Sequence, residues 1–324
     1  MIIASYCAIL FTSNAMGAIF SPENIAYIAP SAPLSWPVAE KKNKPFPGIN
    51  HPSVTGDEVG VYSTQTDRQK IPHIINALYG QKKFLWSVKG GYSAARLFKH
   101  INQIKKPSKP KVFIGFSDAT FLHLFLNQKW GWPTIHGAMP GCAKDQDDVN
   151  CAKIKKLINT EKGKLTYHNL APLNPCGACS TSICGKIIGG CLTLLVNSIG
   201  TGWQLNAHGK ILMIEDVNLK SYELDRYLTH MTQAGMLNGV CAIIFGTMTS
   251  SGTLCKDIIK CFAQETKIPI FACHWFGHGP INDPIPFGCP ARIIKNNIHD
   301  YRLEISYDFS DDSKLNVKGC VQNP

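Results

Sequence analysis

Acidic side chains are scarce in this sequence. It carries 22 Asp and Glu against 33 Lys and Arg, a formal net charge of +11 over 324 residues. Charged residues of both signs make up only 17% of the chain, too few for a disordered polyelectrolyte or a coiled coil. No block of five or more like charges occurs. The densest basic run, Lys105-Lys106-Pro107-Ser108-Lys109-Pro110-Lys111, reads as a solvated loop rather than a polyanion track, and no nucleic-acid partner is expected. A diffuse positive field still draws in small anionic substrates. Internal repeats and low-complexity tracts are missing too, which excludes solenoids and repeat arrays.

No charged side chain precedes Glu23. Ile2 to Phe11 is apolar apart from Ser5, and the small residues Ser13-Asn14-Ala15-Met16-Gly17-Ala18 follow. The stretch has the apolar core and cleavage zone of a signal peptide, without its basic start, and is too short to span a bilayer. Residues 1–20 are therefore expected as a signal peptide cut between Ala15 and Ala18, leaving a periplasmic or secreted protein with no membrane span. A cytoplasmic chain with a buried N-terminal strand is the alternative.

Among the 13 cysteines, Cys176-Gly177-Ala178-Cys179 and Cys184 lack a second Cys or His pair at zinc spacing, so no metal is expected. Export would permit a disulfide such as Cys142 with Cys151. Cys241, Cys273 and Cys289 sit in apolar contexts and read as buried thiols.

What is present is 44% hydrophobic sequence, enough for two cores, in an alternating pattern. Asn24 to Ala29, Phe84 to Val88 and Val112 to Ile114 read as strands; Asp67 to Leu78, Ala94 to Ile101 and Ala119 to Leu126 read as helices. A second unit repeats the alternation. Gly189-Gly190 opens a helix. Lys210 to Ile214, Val240 to Phe245 and Pro269 to Cys273 are strands, and Tyr222 to Ala234 and Gly252 to Gln264 helices. This predicts an α/β fold with a parallel sheet, whose ligands sit beyond the C-terminal strand ends. The expected division is an N-terminal nucleophile domain over 21–160, a Pro- and Cys-bearing connector over 161–185, and a C-terminal domain over 186–324.

Ser117-Asp118 interrupts the apolar run Lys111 to Leu126 at the joint between strand and helix. Both residues are ordinary helix N-caps. The sharper reading is a nucleophile elbow, a serine pushed out above the sheet with the next N–H aimed at an oxyanion. Gly115-Phe116-Ser117-Asp118-Ala119 is close to G-x-S-x-G. Such a serine needs a base and a carboxylate behind it. His278 is bracketed by Gly277 and Gly279 just past a buried strand, and Glu215 ends another. Each also fits a plain turn or a helix cap, but together they supply Ser, carboxylate and His in the chain order of α/β-hydrolases.

Gly90-Gly91-Tyr92, Gly115-Phe116-Ser117-Asp118, His136-Gly137-Ala138-Met139, Gly189-Gly190-Cys191-Leu192, Ile214-Glu215-Asp216 and Gly277-His278-Gly279 resemble, in order and rough spacing, the LD-carboxypeptidases. These serine peptidases include muramoyltetrapeptide carboxypeptidase and the microcin C self-immunity peptidase. The resemblance runs from about Asn24 to Ile305 and includes Ala29-Pro30-Ser31 and Asp225-Arg226. It implies a flavodoxin-like N-terminal domain with a parallel sheet, a smaller C-terminal α/β domain and a homodimer. It further implies a triad of Ser117, Glu215 and His278, with an oxyanion hole from the backbone N–H groups of Gly91 and Asp118 and no cofactor or metal. The implied reaction is hydrolysis of an L,D-peptide bond to release terminal D-alanine from a muropeptide or another short peptide in cell-wall recycling. Cleavage of peptidyl or aminoacyl nucleotides in antibiotic self-immunity is a second reading, with Trp203 and Trp275 as candidate stacking platforms. A non-catalytic muropeptide-binding protein is a third. Arg96 is a candidate contact for the substrate carboxylate, or a solvated helix arginine. Cys191 stands where many members carry a polar residue.

Overall fold

The computed structural model describes residues 10–12, 22–43, 46–49, 51, 54–55, 67–141, 145–250, 255–297 and 300–310. Its strands are β1 (Leu10–Thr12), β2 (Ile25–Ile28), β3 (Phe84–Ser87), β4 (Val112–Gly115), β5 (Thr134–His136), β6 (Lys162–Pro172), β7 (Ser182–Cys191), β8 (Lys210–Leu219), β9 (Ala242–Ser250), β10 (Ile270–Gly277), β11 (Ile285–Phe287), β12 (Pro290–Lys295) and β13 (Tyr301–Asp308).

Two sheets result. The first is β2-β3-β4-β5, parallel throughout and in sequential order, with β11 antiparallel against β5. Its strands are short and mostly buried, as expected where helices cover a parallel sheet. The second has eight strands in the order β1-β6-β10-β9-β8-β7-β12-β13. Strands β7 to β10 are parallel and the rest antiparallel. β13 also pairs with β6, so seven strands close into a ring, while β1 lies beside the first half of β6.

Residues 161–185, expected as a connector, instead supply β6, the helix Pro175–Cys179 and the start of β7. The expected helix opening at Gly189 is the end of β7, with the helix beginning at Leu192. Residues 10–12 of the expected leader form β1; the rest of that leader lies outside the described residues, as does Cys142. No helix among the described residues is long and apolar enough to cross a membrane.

β8 shows why the second sheet holds together. Ile211 and Met213 enter one core with Tyr167, Trp275 and Phe276. Leu212 and Ile214 enter the other, with Leu224 and Leu228 of the helix Ser221–Gln233. The apolar stretch Ile211 to Ile214 is thus buried on both faces. That alternation continues into the two acids that follow.

Candidate active site

β4 ends at Gly115. Phe116 is extended (φ −156°) and Ser117 turns into the left-handed region (φ 62°) before the helix Thr120–Phe125. A residue with a β-carbon held there costs of order 1–3 kcal/mol, the strain expected of a nucleophile elbow. Its neighbours leave no room for larger side chains. A β-carbon on Gly115 would stand 3.0 Å from that of Ala119. One on Gly90 would stand 3.3 Å from Ser117 Oγ, so the loop after β3 lies against the serine.

The Asp118 side chain does not cap the helix behind it. Asp118 is buried, and its Oδ2 accepts hydrogen bonds from Ser31 Oγ at 2.6 Å and the Ala94 N–H at 2.8 Å. Burial raises its pKa, while those bonds and the Lys70 charge oppose the rise. Lys70, 1% exposed, donates to Ser93 Oγ at 2.6 Å and to the Pro30 carbonyl at 3.2 Å. The loop bearing Gly90 and Gly91 is therefore fastened on one side to the elbow and on another to the helix Asp67–Tyr79.

Glu215 and Asp216 part company as strand alternation requires. Glu215 is fully buried, and its Oε2 lies 2.5 Å from His278 Nδ1. Asp216 turns the other way. Its Oδ2 accepts from the Thr193 N–H and Oγ1, both at 2.8 Å, and its Oδ1 from the Val217 N–H at 2.7 Å. It anchors the first turn of the helix Leu192–Asn197. The register of β8 on β9 shifts between Ile214 and Asp216, an irregularity of the kind that re-aims side chains beside active sites. Burial disfavours charge on both Glu215 and His278, but their mutual attraction prevails: the carboxyl is held below its usual range and the imidazole above its own. The pair is thus an ionised carboxylate behind a basic imidazole.

His278 follows Gly277, whose φ of 106° suits glycine. Its ring rests 4.8 Å, centroid to centroid, from that of Phe116, next to Ser117. Among the described residues no hydrogen bond joins Ser117 to His278; such contacts are often loose without substrate. A β-carbon on Gly277 would come 2.7 Å from that of Glu215. Gly277→Ala is expected to displace the carboxylate, lowering kcat about 100-fold and also lowering the melting temperature. Steady-state kinetics and a thermal melt check it.

The remaining expected residues lie as follows. Gly91 has φ 126° and packs against Ala32. Arg96 is mostly exposed and holds Asp67 Oδ2 at 2.8 Å through Nη2; a carboxylate of its own chain already occupies it. Cys191 is buried, opposite Glu215 in register, and burial raises its thiol pKa. Trp203 packs on Phe121, and Trp275 is sealed against Tyr167, so neither offers a stacking face. Among the described residues no group of three His, Cys, Asp or Glu forms a metal site. Two features escaped the sequence reading. Lys70 lies on the buried stripe with Ile74 and Leu78, where a lysine gives no signal. His136, whose Nε2 is 3.5 Å from Glu215 Oε1, was visible only as part of a motif.

The chain is similar to known proteins. The sequence profile of the LD-carboxypeptidase N-terminal domain matches residues 25–137 and that of the C-terminal domain residues 184–293. A Rickettsia conorii protein, provisionally named a carboxypeptidase, is 40% identical over 72% of this chain and 76% of its own. Murein tetrapeptide carboxypeptidase of Pseudomonas aeruginosa is 27% identical over 66% of this chain and 73% of its own. The crystal structure of an MccF-like protein from Bacillus anthracis superposes with a TM-score of 0.71 at 22% identity, covering 87% of this chain and 96% of the other.

Proposed function

The chain belongs to the LD-carboxypeptidase family, and we propose that it is a serine carboxypeptidase releasing terminal D-alanine from murein tetrapeptides. The observation that carries this reading is the Glu215–His278 pair at 2.5 Å beside the strained Ser117 turn. In the proposed reaction His278 takes the Ser117 proton as the hydroxyl attacks the carbonyl carbon. Glu215 fixes the imidazole tautomer and stabilises the imidazolium. The Gly91 and Asp118 N–H groups hold the oxyanion, where one donor is typically worth roughly 3–4 kcal/mol of barrier. His278 returns the proton to the departing D-alanine amine, and water then hydrolyses the acyl-enzyme.

The flavodoxin-like label for the N-terminal unit, whose β2 to β5 sheet is parallel but sequential and so lacks the strand-order reversal of that fold, belongs to this proposal. So do a homodimer, which sedimentation would test, and export with loss of the leader. Cleavage between Ala15 and Ala18 would remove β1; the mass of the mature chain distinguishes the two forms.

Incubation with a muropeptide ending in diaminopimelate–D-alanine tests the activity. The expected result is free D-alanine and a product lighter by one alanine residue. Cleavage of a peptidyl nucleotide alone would favour the self-immunity reading, against which the buried Trp203 and Trp275 speak. Binding without turnover would make the protein a non-catalytic receptor.

A further inference from the structure

Glu215 has a second oxygen that the reaction above leaves unused. Oε1 is buried with no hydrogen bond among the described residues, and so are both ring nitrogens of His136. The nearest approach is His136 Nε2 to Oε1 at 3.5 Å, with both side chains 0% exposed. His136 ends β5, in the first sheet, and Glu215 lies on β8, in the second. The contact therefore bridges the sheet that carries Ser117 and the sheet that carries its proposed base. The rings of Phe276 (4.3 Å), Phe287 (5.6 Å) and Phe116 (5.8 Å) enclose the imidazole.

We propose that His136 is a positioning residue: its Nε2–H donates to Glu215 Oε1 and locks the carboxylate rotation that presents Oε2 to His278. This rests on the serine-peptidase reading above.

The tautomer follows from electrostatics. Burial holds His136 neutral against the pull of Glu215, so the ring has a single N–H to place. With that proton on Nδ1, the Nε2 lone pair would point at a carboxylate oxygen in a dry site. On Nε2 it gives the oxygen the donor it lacks. The other titratable groups around the pair cannot substitute. His123, from the helix Thr120–Phe125, stacks 6.0 Å from His136 and uses its Nε2–H on the Gly115 carbonyl. Asp216 is committed to Thr193. Cys191, on β7, is a buried thiol whose pKa is raised. His278 already occupies Oε2. A carboxylate tied at one oxygen can swing about its last bond; tied at both, it cannot. Withdrawing charge through Oε1 also keeps Glu215 from binding the His278 proton too tightly.

Two measurements test this. In the wild-type protein, 15N-resolved NMR should show His136 protonated on Nε2 and bare on Nδ1; the opposite tautomer overturns the proposal whether or not any variant folds. In D-alanine release, His136→Phe should lower kcat by up to about 100-fold with KM changed by less than about twofold. It should move the acidic limb of kcat/KM to higher pH, because Glu215 then holds the His278 proton more strongly. His136→Gln, which keeps a donor, should recover most of both. A folded His136→Phe with wild-type kcat and an unmoved acidic limb overturns the proposal. Failure of the underlying reading looks different: the wild type would be inactive, or Ser117→Ala would be as active as the wild type.

Discussion

Ser117→Ala is expected to abolish D-alanine release and to leave the fold unchanged. The native backbone at this position already holds a β-carbon at φ 62°, and alanine meets the same strain as serine. No hydrogen bond to the Ser117 hydroxyl is present among the described residues, so its removal strands no buried partner. Stability should stay within about 0.5 kcal/mol of wild type. Activity should not. Loss of a serine nucleophile in a hydrolase of this type costs on the order of a million-fold in kcat, because the covalent route is closed and only the oxyanion donors and substrate binding are left to act. Product release read by mass, paired with a thermal melt, checks both halves. Turnover near the wild-type rate in the folded variant would remove Ser117 from the reaction.

The residues that stand out in the sequence are those that break a pattern. Ser117, Glu215 and His278 interrupt or end apolar runs, His278 between two glycines, and an apolar run in an α/β chain is a buried strand whose end faces a crevice. The parallel strands β2, β3, β4, β8, β9 and β10 were legible for the same reason, but β5 and β7 were not. β6 was not, because Lys162 to Pro172 mixes charged and apolar residues; Leu165, Tyr167 and Leu170 are buried only because the ring closes around them. β13 does carry a signal, since Tyr301, Leu303, Ile305 and Tyr307 alternate with outward residues, the period-2 pattern of a strand buried on one face. The Asp118 side chain departs from local logic. Local logic favours a helix cap, but Ser31 and Ala94, 87 and 24 residues away in sequence, compete for the same oxygen and win. No local pattern announces partners that distant. The His136 contact was hidden likewise, because it exists only once two sheets meet.

Glu215→Gln and Asp216→Asn should fail in opposite ways. The glutamine keeps an acceptor for His278 Nδ1–H but has no charge to offset an imidazolium. A comparable change in a serine-protease triad lowers kcat about ten-thousandfold, and the loss should appear in kcat with little change in KM, since the interaction strengthens only in the transition state. The pH profile carries a second signature. Glu215 is what lifts the His278 pKa against burial; without its charge burial prevails, the pKa falls, and the acidic limb moves to lower pH. That is the reverse of the shift expected for His136→Phe, so the two variants separate charge from orientation. Asp216→Asn touches a different structure. Its two carboxylate oxygens accept from three donors, at Thr193 N, Thr193 Oγ1 and Val217 N. An amide offers one acceptor oxygen and turns its own N–H groups toward a donor on the other side. The cost should be about 1–3 kcal/mol of stability, read as a lower melting temperature, with turnover by the folded fraction close to wild type. If Asp216→Asn instead removed turnover while Glu215→Gln merely loosened the fold, the carboxylate behind His278 would be Asp216, and the register of β8 at its irregularity would be one residue out.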